Sequence, residues 1–163
     1  MSRLRKLLDV KMINVVIDKS GSMNTLGKPE VIQSIIREIQ LTEGIDCNFF
    51  VWGEDVRLAS GTEETISIDF NGKSSIQGLL NFLRNNNDSC LLLTDGFSNE
   101  DKSNLTEFLR DNSNSKLRVA LVGADSRVIN GKSFFPENMI VSEQKKYIFN
   151  ALEVSAAIES LNY

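Results

Sequence analysis

The sequence contains no histidine. Ser-His-Asp and Cys-His catalysis are therefore closed to its own side chains. His-containing zinc sites are closed too, and two cysteines are too few for a Cys-rich one. Any metal it holds must be bound through oxygen, which selects Mg²⁺, Mn²⁺ or Ca²⁺. A basic excess is also lacking: 18 basic against 22 acidic residues leave a net charge of −4. That balance argues against a nucleic-acid partner. No apolar run reaches the roughly 18 residues of a membrane span. The start, Met1-Ser2-Arg3-Leu4-Arg5-Lys6-Leu7-Leu8, is basic, but its apolar content is too short for a secretory signal, and Asp9 and Lys11 follow at once. Residues 1–11 read as a basic lead-in and 12–163 as one domain, a length that suits a single core. Cys47 and Cys90 open two apolar runs and resemble small buried side chains. A reduced, cytoplasmic setting and a soluble chain are expected.

What is present alternates between two periods. Residues 12–17 are apolar, β-branched and too few for a helix, so they predict a buried strand. Residues 30–43 place Val31, Ile32, Ile35, Ile36 and Ile39 on one helical face, with Pro29 where the first turn begins. A strand follows at 47–52, then a tight turn at Gly53-Glu54-Asp55. Two short β-like pieces are expected near 56–59 and 64–70. The second alternates Ile66, Ile68 and Phe70 with polar residues, which predicts a half-exposed edge strand. Residues 74–86 form an amphipathic helix through Ile76, Leu79, Leu80 and Leu83, ended by an Asn-rich turn. Strands are expected at 89–94, 117–122 and, briefly, 139–141, with a helix near 102–111. Residues 124–137 read as a long irregular segment. A final helix is expected over 143–161, with Tyr147, Ile148, Ala151, Val154, Ile158 and Leu161 on one face. Apolar strands alternating with helices imply a doubly wound, Rossmann-like α/β fold. Its sheet is mostly parallel with an antiparallel edge strand, and helices cover both faces.

In such sheets ligands bind past the carboxyl ends of the strands, where strand order reverses. Asp18 follows the first strand and Asp95 follows the strand 89–94. If those strands are neighbours, about 4.8 Å apart, two carboxylates share one small space. Unpaired they would repel, and a divalent cation removes that cost. The same order puts Cys47 and Cys90 two strand spacings apart, roughly 9–10 Å. A disulfide needs Cα atoms within about 7 Å, so two free thiols are expected.

Three motifs occupy this end of the sheet. Asp18-Lys19-Ser20-Gly21-Ser22 follows the first strand and resembles the D-x-S-x-S signature of von Willebrand factor type A (vWA) domains. Leu93-Thr94-Asp95-Gly96 resembles the family's (I/L)-T-D-G. Gly72-Lys73-Ser74-Ser75-Ile76-Gln77-Gly78-Leu79-Leu80 resembles the G-G-T-x-(L/I)-x-x-A-L that opens a helix between them. The order and spacing of all three match over about residues 12–161. The resemblance implies a metal-ion-dependent adhesion site. Ser20 and Ser22 would ligate the ion, Asp18 and Asp95 would hold it directly or through water, and Ser74 would stand where the family has threonine. Gly61-Thr62 is a second candidate for that position, but it precedes a strand. Gly21 would permit a tight backbone between the serines. Two carboxylates and neutral hydroxyls would leave Mg²⁺ Lewis acidic, with a position that a partner's Asp or Glu completes. Met23, Gly27-Lys28-Pro29 and Thr94-Asp95-Gly96 resemble small bacterial stand-alone members of the tellurite-resistance type. Those imply a soluble adaptor in a stress or defence system.

Other readings of the same residues remain. Asp18 to Ser22 alone would suit a turn, and Ser74 would suit an ordinary helix N-cap. Lys19 is expected to face solvent and Trp52 to lie in the core. A haloacid-dehalogenase phosphatase needs a second aspartate where Ser20 stands, and no P-loop is present. An interaction module rather than an enzyme is therefore expected. The alternative is a Mg²⁺-dependent phosphohydrolase using the same site.

Overall fold

The structure, a computed structural model, describes residues 11–25, 27–61, 66–112, 116–123, 141–142, 145–146, 148–150 and 153–161. The apolar run becomes β1 (Lys11–Asp18). Successive side chains of a strand point to opposite faces. Ile13, Val15 and Ile17 accordingly enter one core layer and Val16 the other. A short 3-10 turn (Gly21–Asn24) leads to α1 (Lys28–Gln40), which buries Ile32, Ile35, Ile36 and Ile39. Pro29 lies in its first turn as expected, and the helix stops about a turn before position 43. β2 (Ile45–Trp52) turns at Gly53–Asp55 into β3 (Val56–Leu58). β4 (Ser60–Gly61) and β5 (Ile66–Ser67) form a ribbon of their own. Then come α2 (Ile76–Asn85), β6 (Ser89–Thr94), α3 (Asn99–Asp111) and β7 (Leu117–Leu121). Ser98 caps α3 by accepting the Asp101 N–H at 3.1 Å. The described remainder comprises β8 (Val141–Ser142), β9 (Lys145–Lys146), β10 (Ile148–Asn150) and α4 (Val154–Ser160).

The main sheet runs β10-β7-β6-β1-β2-β3. All its described pairs are parallel except β2 with β3. This is the expected doubly wound α/β architecture. Residues of α2 and α3 cover one face; residues of α1 and α4 cover the other. Strand order reverses at β1, so the β1 and β6 ends carrying Asp18 and Asp95 lie side by side.

Two expectations change. The antiparallel edge strand is β3, not 64–70. The three-residue turn at Gly53–Asp55 folds the chain back on β2 at once and fills that edge. Ile68 and Phe70 pack instead against the core layer below α1. The last helix does not span 143–161. Ile148–Asn150 pair with β7, Ile148 beside Val119 and Phe149 beside Ala120. The outer edge of β7 needs a main-chain partner, and that demand overrides a helical pattern that holds only for Val154, Ile158 and Leu161. Tyr147 and Ala151 lie outside the described residues. So do Met139 and Ile140 of the expected strand 139–141, while Val141 pairs with Lys146 in a separate ribbon. The lead-in before Lys11 and the segment 124–137 also lie outside them. Among the described residues no helix is long and apolar enough to cross a membrane.

Cys47 and Cys90 are both free, on the two strands that flank β1. Burial raises each thiol to about 12, and Asp46 adds to the rise at Cys47. The thiolate is the reactive form, so both stay unreactive near pH 8. A thiol-disulfide dye is expected to titrate two thiols in denaturant and to leave Cys90 silent in the folded chain. A native reaction as fast as the denatured one would contradict this packing.

Candidate metal centre

The β1 end is organised around the Asp18 carboxylate, which is only 3% exposed. A buried carboxylate must be hydrogen-bonded or paired. Oδ1 accepts the Ser20 backbone N–H at 2.8 Å and the Ser74 hydroxyl at 2.6 Å. Oδ2 accepts the Thr94 hydroxyl at 2.7 Å. Ser74 also lies 2.9 Å from the Trp52 carbonyl oxygen. Its single proton favours the charged and closer acceptor, and its lone pairs stay available to a cation.

Ser74 reaches Asp18 because the segment before α2 is held in three places. The Gly21 N–H donates to the Gly72 carbonyl at 3.0 Å, the Ser75 N–H to the Gly53 carbonyl at 2.8 Å, and the Trp52 indole N–H to the Ser75 carbonyl at 2.7 Å. Gly72 has φ 78°, a left-handed conformation that favours glycine. Ser75, not Ser74, occupies the N-cap of α2, so Ser74 is not an ordinary cap. Trp52 is 1% exposed and belongs to the core, as expected.

Ser20 and Ser22 turn their hydroxyl oxygens toward each other at 3.1 Å. Gly21 between them has no positive φ, and a Cβ there would meet only the Gly72 carbonyl at 3.9 Å. The backbone between the serines therefore does not depend on glycine at this position. Asp95 joins the group through Lys28, whose ammonium lies 3.0 Å from Asp95 Oδ2 and 3.2 Å from the Ser22 carbonyl oxygen. Ser74, Asp18, Ser20, Ser22 and Asp95 thus gather at one end of the sheet. Thr62, the second candidate for the third motif, lies outside the described residues.

Two members were missed by sequence reasoning. Thr94 is fully buried and fixes Asp18; its place in the Thr-Asp-Gly motif was the available signal. Lys28 is 4% exposed. Its signal was a cation at the first position of a helix, where the macrodipole favours anions. Lys19, expected to face solvent, is half-buried, its side chain lying over Gly53.

The donor set suits a hard cation. Among the described residues no three Cys, Asp or Glu side chains cluster, so two carboxylates and three hydroxyls are the available donors. Mg²⁺ prefers an octahedron of oxygens at about 2.0–2.1 Å, whose neighbouring ligands lie roughly 2.9–3.0 Å apart. The Ser20–Ser22 hydroxyl separation of 3.1 Å approximates one such edge.

No family model matches the sequence, and no curated protein does. Solved structures do. The manganese-loaded TRAP protein of Plasmodium vivax superimposes with a TM-score of 0.59 at 17% identity, covering 94% of this chain and 73% of that one. The SpRpn10 VWA domain gives 0.55 at 10% identity, covering 86% and 87%. An aerotolerance-related membrane protein from Bacteroides fragilis, carrying multiple mutations to serine, gives 0.56 at 14%, covering 93% and 98%. The chain has the von Willebrand factor type A fold. At these identities the likeness is one of fold. In this vWA fold the three motifs meet at the carboxyl end of β1 and β6, the position that strand order reserves for ligands.

Proposed function

We propose that this vWA chain is a metal-dependent protein-interaction module. Asp18, Ser20, Ser22, Ser74 and Asp95 hold a divalent cation, Mg²⁺ or else Mn²⁺ or Ca²⁺, and an Asp or Glu of a partner protein completes its shell. The observation that carries this reading is the 2.6 Å bond from Ser74 to Asp18 across 56 residues of sequence. It joins the first and third motifs at a buried carboxylate, and a plain turn or helix cap has no use for that arrangement. The ion would supply Lewis acidity toward the partner's carboxylate. The chain's own groups do the rest: Ser74 and Thr94 orient Asp18, and the paired Ser20 and Ser22 hydroxyls supply neutral oxygens. The setting we propose is a soluble adaptor in a bacterial stress or defence system, as the resemblance to the tellurite-resistance type implies.

Calorimetric titration with Mg²⁺, Mn²⁺ and Ca²⁺ tests the ion. Saturable binding by the wild type is expected, and its absence would overturn the reading. Affinity capture from the native source, with Mg²⁺ and with EDTA, tests the partner. A protein retained only with metal is expected. A phosphate-ester assay with Mg²⁺ is expected to show no turnover; turnover lost on changing Asp18 would instead make the chain a phosphohydrolase.

A further inference from the structure

Lys28 carries a consequence of its own. Its ammonium is inside the proposed site, 3.0 Å from one of the two carboxylates and 3.2 Å from the Ser22 carbonyl. The Lys28 and Asp95 side chains are 5% and 12% exposed, so water screens the pair poorly. A lysine at the first position of α1 gains nothing from the helix dipole, which opposes a cation there. Asp95 and the Ser22 carbonyl favour its ammonium there despite the dipole. Asp18, Asp95 and Lys28 together carry one net negative charge, against two for the carboxylates alone. A divalent cation added to that set would meet an ammonium already on Asp95, and two cations sharing one carboxylate in a poorly solvated space repel strongly.

We propose that Lys28 is a tethered cation that closes the Asp95 arm of the site, and that a divalent ion binds by displacing its ammonium from Asp95. The inference rests on the metal-binding reading above and deepens it: Lys28 sets the affinity, and the metal-free state is charge-paired rather than open. The lysine stem is long enough to withdraw without moving α1, which the buried Ile32, Ile35, Ile36 and Ile39 hold to the sheet.

Lys28→Met keeps the length of the side chain and removes the charge. It is expected to bind Mg²⁺ on the order of tenfold more tightly than wild type in calorimetry, and to gain more thermal stability from added Mg²⁺. Lys28→Arg, which keeps the charge, is expected to stay near the wild-type affinity. A wild type that binds measurably, but more weakly than Lys28→Met, would support both inferences. Equal binding by wild type and Lys28→Met would overturn this proposal and leave the metal site standing. Weaker binding by Lys28→Met would overturn it as well, making the lysine an organiser of the Ser22 loop. No binding by either would overturn the metal site with it. A second measurement needs no variant. With ¹³C-labelled lysine in the wild type, the Lys28 Cε resonance is expected to move as Mg²⁺ is titrated, in step with the calorimetric curve. A binding curve with a stationary Lys28 Cε would sink the displacement.

Discussion

Asp18→Asn is expected to abolish divalent-cation binding, weakening it by at least about 100-fold, while the chain stays folded. A charge-assisted contact to a carboxylate is worth roughly twice a neutral one. Lys28 already offsets Asp95, so Asp18 carries the uncompensated negative charge of the site. The replacement amide removes that charge and can still satisfy its surroundings. Its oxygen accepts from Ser20 N–H and the Ser74 hydroxyl, as Asp18 Oδ1 does now. Its amide nitrogen donates to Thr94 Oγ1, whose proton then turns to the Gly96 carbonyl 3.1 Å away. Asp18→Ala is different. Ser74 and Thr94 have second acceptors in the Trp52 and Gly96 carbonyls, but the Ser20 N–H loses its acceptor. Leaving such a donor unpaired costs about 1–3 kcal/mol, which lowers the Tm of a domain of this size by several degrees. Calorimetry with Mg²⁺ and thermal melts in EDTA read the two effects separately. Undiminished binding by Asp18→Asn would remove Asp18 from the site.

The parts of the fold legible in the sequence were those with a strong local period. The short, β-branched β1 run and the helically spaced isoleucines of α1 are distinct local signals, and each element appears where its signal put it. The last helix is shorter than its pattern predicts because Ile148 fits a helical face as well as a strand. Only the unpartnered edge of β7 decides between them, and that edge lies some thirty residues earlier in the chain. The edge strand was misplaced for a similar reason. Alternation at Ile66, Ile68 and Phe70 is a real β signal, but Val56–Leu58 reach β2 first through a shorter turn.

At the site the motif residues were legible because each follows a strand or precedes a helix in a recognisable frame. Lys28 was not, because its importance is electrostatic and long-range: it meets Asp95 across 67 positions. Nothing in Gly27-Lys28-Pro29 names that partner. Thr94 was visible as a letter of a motif and invisible as a donor, since its bond to Asp18 depends on β1 and β6 being neighbours. Residue types can be read from a motif; the order in which they bond requires the sheet.

Gly78→Ala is expected to destabilise the chain and to weaken the metal site with it. A Cβ on Gly78 would lie 2.0 Å from the Glu54 carbonyl oxygen, 2.9 Å from its carbon and 3.0 Å from Asp55 Cα. All three are backbone atoms of the turn between β2 and β3, so no side chain can swing aside. Alanine is the better helix former by about 1 kcal/mol, and that gain opposes the clash. Relief must come from moving α2 away from the turn, a form of overpacking that typically costs 1–3 kcal/mol and sometimes more. A net loss of about 2 kcal/mol, or a Tm lower by roughly 4–8 °C, is expected. The same movement reaches the site. Ser75 N–H is bonded to the Gly53 carbonyl and its own carbonyl to the Trp52 indole, so displacing α2 draws Ser74 from Asp18. Metal affinity should therefore fall together with stability, although Gly78 touches no proposed ligand. Gly44→Ala is the control. Its Cβ would meet nothing within 4 Å, its φ of 79° makes the strain local, and it precedes β2, away from Lys28 and the proposed ligands. It is expected to lower Tm without lowering the affinity of the folded protein for Mg²⁺. Equal effects of the two substitutions on affinity would mean that the seam between α2 and the β2–β3 turn does not position Ser74.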